Sequence, residues 1–400
     1  MAVVCTYVYA QGQLSPEITS WITTAGAGDQ FDAVYSNVQQ VQYTDQDVFL
    51  SCYGIPTYDI GPWDDPSLGV NQNFVFRISR NPEPSSESAI REIGRIGVWS
   101  NGISIYDPRN GVSYRADDIW HLDAVRSEAD GAVPCDGKAA ENGEFFTYTP
   151  ALCLYDPTPS SEHAPIIGFA FDGYPIYGGY GYANTDGTGD IERMRSSYQY
   201  RDITERTTLP DGTPLPESLF GPAVNENYPL GHYVEDYIYV AGSGDLDAHN
   251  GRFCVTPEYP NGTYAYFATI DANGQPAYPY VIGDTFYGRV IEGNIGEFQG
   301  HQTIEASATT YASIGGNTGI DILFYPNPST DYFHVYIRPS FENDITALLT
   351  DIHGHVVFAE HNWQPGVKYA IDVRHLNSGL YLLQLTSGEE YVIQKCIVRN

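Results

Sequence analysis

Thr263-Tyr-Ala-Tyr-Phe-Ala-Thr-Ile270 decides the fold class of most of this chain. It has the length and period of a β-strand, is rich in aromatic and β-branched residues, and lies between Pro and Gly clusters. Asn73-Phe-Val-Phe-Arg-Ile78 and Tyr237-Ile-Tyr-Val240 read the same way. No repeat and no long helical period interrupts them. The expected class is all-β: a large irregular body with long loops, one of them from about 186 to 229, followed by a small C-terminal Ig-like β-sandwich. The 33 Tyr, 40 Gly and 26 Pro fit many short strands joined by turns. A net charge of −31, from 19 Lys/Arg against 50 Asp/Glu, argues against nucleic acid and anionic lipid as partners. With 42% hydrophobic and only 17% charged residues, the chain is too apolar for a disordered acidic protein. No run approaches the length of a transmembrane segment.

Composition shifts once. Residues 303–321 are small and polar and read as a linker between a body over 11–302 and a tail over 322–400. The tail holds 5 Lys/Arg against 8 Asp/Glu, so the negative charge belongs to the body. Seven short strands are expected in the tail: Ile322–Tyr325, Tyr332–Arg338, Ala347–Ile352, His355–Glu360, Tyr369–Arg374, Leu380–Leu385 and Tyr391–Val398. Three words within it are Phe324-Tyr-Pro-Asn-Pro-Ser329, Asp351-Ile-His-Gly354 and Leu376-Asn-Ser-Gly-Leu-Tyr-Leu-Leu383. Together they resemble the C-terminal sorting domain of the type IX secretion system. That resemblance implies type IX machinery as a partner. It also implies secretion from, or attachment to the outer surface of, a Bacteroidetes-type bacterium.

In the body, Cys135-Asp-Gly-Lys138 precedes Phe145-Phe-Thr-Tyr148 and Cys153-Leu154. Then comes His163-Ala-Pro-Ile-Ile-Gly-Phe-Ala-Phe-Asp-Gly-Tyr-Pro-Ile-Tyr-Gly178, with Ile119-Trp-His121, Asp245-Leu-Asp-Ala-His249 and Tyr278-Pro-Tyr-Val-Ile-Gly283 elsewhere. From about 99 to 288 this arrangement resembles the YHYH family. The family's paired histidines suggest a metal site, because alternate strand residues point the same way and can share one ion. Here the matching positions are Lys138, Phe146 and Tyr148. Phe and Lys are not ordinary ligands, so this chain reads as depleted of that site.

Three other groups could carry a ligand. Asp245, Asp247 and His249, if extended, would face one side and offer two carboxylates and an imidazole to a transition metal or to a hydrolase mechanism. The alternative is a turn organised by Asx side chains. Asn184, Asp186, Thr188 and Asp190 follow the oxygen spacing of a Ca²⁺ loop, although the twelfth position is Arg195 where a bidentate Glu is needed. Asp172, Tyr174 and Tyr177 could form an acid and a sugar-stacking platform, or line the core. Cys135 and Cys153 flank the altered strand. A bridge between them would close about 18 residues and stabilise by roughly 3 kcal/mol. Cys254, in an apolar setting, reads as a buried thiol. Met1 to Ala10 resembles the back half of a signal peptide.

The expected function is non-catalytic binding of a cation or a glycan-like ligand at the cell surface. The alternatives are a metal-dependent hydrolase using Asp245, Asp247 and His249, and a structural surface component without a small ligand.

Overall fold

The computed structural model describes residues 14–23, 37–56, 58, 69–87, 89–91, 93–127, 137–157, 161–296, 299–313, 322–325, 329–337, 345–351, 355–387 and 390–399. The expected leader over 1–10 and Cys135 lie outside these residues. Among them the α-helices are single turns, Pro16–Thr19 and Ala124–Ser127. No helix among the described residues is long and apolar enough to cross a membrane. The protein is all-β.

Among the described residues two large sheets build the body, with three two-stranded sheets beside them. An antiparallel sheet runs Thr309–Ser313, Val38–Tyr43, Asp47–Cys52, Phe74–Ser79. The second has eight strands, in the order Gly251–Cys254, Thr263–Phe267, Pro175–Tyr177, Ile166–Ala170, Arg95–Trp99, Ser104–Tyr106, Phe145–Thr147, Lys138–Ala139. It is mixed, with parallel pairing between Pro175–Tyr177 and Thr263–Phe267 and between Ser104–Tyr106 and Phe145–Thr147. Alternation along Thr263–Phe267 separates two cores. Ala265 and Phe267 pack with Leu50, Phe76, Phe169 and Tyr177, where the sheets meet. Tyr264 and Tyr266 point the other way and pack with Ile96, Ile105, Ile176 and the loop residues Val281 and Phe286. Both faces are therefore covered, which is why Arg95–Trp99 and Ile166–Ala170 are buried at every position. Burying one such side chain as fully as Phe76 stabilises by roughly 1.5–3 kcal/mol.

The body also encloses ion pairs. Arg95 donates through Nη1 to Glu144 Oε2 at 2.5 Å, and Ser104 and Tyr106 hydroxyls complete that carboxylate's shell. Arg206 and Asp236, both wholly buried, form a two-point pair at 2.7 Å for each bond. The same guanidinium donates to the carbonyls of Pro222, Tyr228 and Pro229, so one cation ties down the long loop that leads to the hairpin Tyr198–Tyr200/Tyr237–Tyr239.

The tail has the seven expected strands, in a sheet of three (Ile322–Tyr325, Tyr332–Ile337, Lys368–Asp372) and a sheet of four (Val356–Trp363, Ile345–Asp351, Gly379–Ser387, Glu390–Val398). They enclose one core containing Phe324, Phe333, Leu349, Trp363, Leu383 and Val398. The stretch read as a linker over 303–321 is corrected in part. Thr309–Ser313 is a strand that pairs with Val38–Tyr43, and 314–321 lie outside the described residues. Its Thr-Thr-Tyr-Ala-Ser sequence has no apolar period because it is an edge strand with little to bury.

Candidate functional site

The segment Ile166–Tyr177 turns tightly between two central strands. Gly173 occupies the turn at φ +89°, a conformation that side chains disfavour. Asp172 ahead of it is fully buried. Its Oδ2 accepts from Tyr266 Oη at 2.6 Å and Gly288 N at 2.8 Å, and its Oδ1 from Tyr174 N at 3.3 Å. Burial pushes its pKa up to about 6, against the pull of those hydrogen bonds. Tyr174 donates to Pro82 O and packs edge-on to Tyr264 and Tyr287. Tyr177 lies in the other core, its hydroxyl on Thr256 Oγ1 and Glu258 Oε2. The three residues therefore line the interior, and the stacking platform expected of them is not exposed.

Asp245, Asp247 and His249 do not converge, because 245–250 is a turn and not a strand. Asp245 receives Arg195 at two points, Nε to Oδ2 and Nη2 to Oδ1, each at 2.9 Å. Burial raises its pKa, but the Arg195 bonds outweigh that and hold the carboxyl below its usual range. Asp247 Oδ1 accepts from His249 N, Gly251 N and Tyr264 Oη. His249 Nδ1 turns to Thr285, and its ring stands edge-on to Tyr287. Asn184, Asp186, Thr188 and Asp190 join the hairpin Tyr180–Tyr182/Ile191–Arg193. There Asp186 Oδ1 accepts from Thr188 N and Oγ1, and Asn184 Nδ2 donates to Thr188 Oγ1, the pattern of an Asx turn. Among the described residues no three His, Cys, Asp or Glu side chains are placed to share an ion.

The positions read from the sequence as matching the family's histidines are packing positions here. Phe146 stacks on Tyr106 with centroids 3.8 Å apart, stands edge-on to Tyr148, and takes the Lys138 ammonium 5.9 Å above its ring. His163 donates or accepts through Nδ1 at Ala164 O and lies among Tyr177, Tyr182 and Phe267. Burial lowers its pKa. His121 is held between Glu235 at 2.7 Å and Asp118 at 3.0 Å. Burial opposes its charge, but the two carboxylates prevail and raise its pKa. Cys52 and Cys254 are buried thiols whose pKa values burial raises.

An open concavity lies elsewhere among the described residues. The hairpin Tyr198–Tyr200/Tyr237–Tyr239 pairs Tyr198 with Tyr239 and Tyr200 with Tyr237, placing four tyrosines on one face. Beside it the turn that bridges Ile270 to Pro276 leads into Tyr278–Tyr280. A cleft of about 750 Å³ opens between them, walled by Tyr198, Tyr200, Tyr237, Tyr278 and Tyr280 and rimmed by Arg126, Arg193 and Arg195. Tyr237 and Tyr278 stack face to face at 3.9 Å, and Tyr200, 48% exposed, stacks on Tyr237 at 5.0 Å. Arg126 Nη1 donates to the hydroxyls of Tyr200 and, at 3.3 Å, Tyr237. Beneath them Asp123 accepts from Tyr280 Oη at 2.5 Å and Tyr237 Oη at 3.4 Å, and burial pushes its pKa up to about 6. Sequence reasoning missed this cleft. The only local signal is the pair of Tyr-x-Tyr words at 198–200 and 237–239.

The family described as YHYH protein matches residues 75–279, and the secretion system C-terminal sorting domain matches residues 323–399. No curated protein matches. A solved structure similar to this chain is described as "Structural and functional probing of PorZ, an essential bacterial surface component of the type-IX secretion system of human oral-microbiomic Porphyromonas gingivalis". Identity is 11% and the TM-score 0.18, over 90% of this chain and 51% of that one, so the chain spans about half the length of that structure.

Proposed function

The chain belongs to the YHYH family and carries a type IX sorting domain that sends it to the cell surface or beyond, and from that premise we propose that it is a non-catalytic surface protein that binds a saccharide in the tyrosine cleft. The observation that carries this reading is the stacked series Tyr200, Tyr237, Tyr278 ending in an exposed ring. A pyranose presents an apolar C–H face and a rim of hydroxyls. A tyrosine presents an apolar ring with a hydroxyl at its tip, so the two surfaces complement each other. The cleft's size is also that of a small-ligand site. A cation site at Asp245, Asp247 and His249 has less support, since Arg195 already neutralises Asp245.

A glycan array followed by calorimetry tests the proposal. The expected result is binding of at least one oligosaccharide, weakened about tenfold or more in Tyr200→Ala. Binding unchanged in that variant, or none on the array, would overturn it.

A further inference from the structure

We infer that the cleft recognises an acidic saccharide, one bearing carboxylates or sulfates, through Arg126 and Arg193. This rests on the saccharide reading and names the class of sugar.

This acidic chain pairs many of its cations internally. Arg77, Arg80, Arg91, Arg95, Arg109 and Arg206 each face a carboxylate of the protein within 3.2 Å. Arg201 and Arg252 bond neutral oxygens instead, Arg201 the carbonyls of Glu235, Thr208 and Leu209 and Arg252 that of Tyr182. Arg126 and Arg193 form no ion pair among the described residues, and both line the cleft. Their bonds go to neutral oxygens: Arg126 to the hydroxyls of Tyr200 and Tyr237, Arg193 to Ile270 O at 2.7 Å. A neutral acceptor orients a guanidinium without cancelling its charge.

Arg126 is also held in place. Its Nη1 lies against Gly231, where any Cβ would strike that nitrogen. With Nη1 fixed, Nε and Nη2 make no hydrogen bond among the described residues. A planar fork of this kind matches the two oxygens of a carboxylate or sulfate. Among the described residues no carboxylate is hydrogen-bonded to that fork. Asp123 acts on Arg126 electrostatically but is linked to its guanidinium only through the Tyr237 hydroxyl, and Asp271, which lines the cleft near Arg193, has one oxygen engaged by Asn273 N and Gln275 N of its own turn. Arg195 on the rim is already paired with Asp245, which leaves Arg126 and Arg193 as the recognition pair. A sugar ring stacked on Tyr200 would carry its acidic substituent toward Arg126, whose guanidinium carbon lies 5.8 Å from that ring's centroid.

The test is calorimetry on the full chain with three matched tetrasaccharides: a neutral glucan, a polyuronate and a sulfated one. One acidic probe should bind about tenfold or more tightly than the neutral one. That preference should shrink as salt rises from about 0.05 M to about 0.5 M. Arg126→Gln should take the acidic-to-neutral affinity ratio close to one, and Arg126→Lys, which keeps charge but not the fork, should restore only part of it. The two acidic probes separate carboxylate from sulfate. Equal affinity for neutral and acidic probes would overturn this inference and leave the saccharide reading standing. Binding of none would overturn both.

Discussion

The tail and the body are both β-structures, but they are held together differently. The tail encloses one apolar core, and its ion pairs, such as Arg374–Asp372 and His355–Asp351, sit at the surface. The body buries charge. Arg206–Asp236, Arg95–Glu144 and Arg91–Asp107 are all enclosed, and Asp172 and Asp123 lie beneath layers of tyrosine. A core of the first kind needs only apolar volume and alternation. One of the second kind needs each partner, since a buried charge left alone is costly. The body thereby supports an irregular surface, including the cleft, that a regular sandwich would not hold.

Breaking one buried pair should separate the two regions most strongly. Asp236→Ala leaves Arg206 enclosed without a counter-ion and frees the loop that reaches the cleft. The body should lose about 3–5 kcal/mol of stability, read by urea unfolding. Hydrogen exchange over Tyr332–Ile337 should stay as slow as before. Equal loosening of both regions would erase the contrast. Leu383→Ala makes the reciprocal cut, at the wholly buried centre of the tail. It should cost about 2–5 kcal/mol there and leave Thr263–Phe267 protected.

Acidity gives a finer test. Asp172 has a folded pKa of about 6, above its ordinary 3.8. Between those values the folded state binds the extra proton, so this group's contribution is fully present below about pH 4 and is lost as pH rises through about 6. A shift of that size corresponds to about 3 kcal/mol. Asp123 acts in the same direction. Subtracting Asp172→Asn from wild type across pH 4 to 7 should reveal a slope of that sign in the body's unfolding midpoint. Identical pH profiles would show that Asp172 is not buried as described.

The same contrast explains what could be read from the sequence. In the tail, Tyr332–Ile337 and Ile345–Asp351 bury every second residue, so period two marks the strands to within a residue or two. In the body, Arg95–Trp99 and Ile166–Ala170 are buried throughout. Such runs declare a strand but not its neighbours or its exposed face. For that reason Asp172, Tyr174 and Tyr177 could be read as a site although they are interior. Asp245 to His249 had the alternation of a ligand strand, but Asx side chains folding back on backbone amides produce the same spacing. The cleft draws on residues 126, 193–200, 237 and 270–280, which only the topology brings together. No local window contains it.

Hydrogen exchange of the full chain, with and without a saturating oligosaccharide identified on the array, tests the central claim most directly. Slower exchange confined to Tyr198–Tyr200, Tyr237–Tyr239 and 276–280, with Asn184–Asp190 and the tail unchanged, is the predicted footprint. Protection centred on Asp245 to His249, or spread evenly across the body, would contradict it.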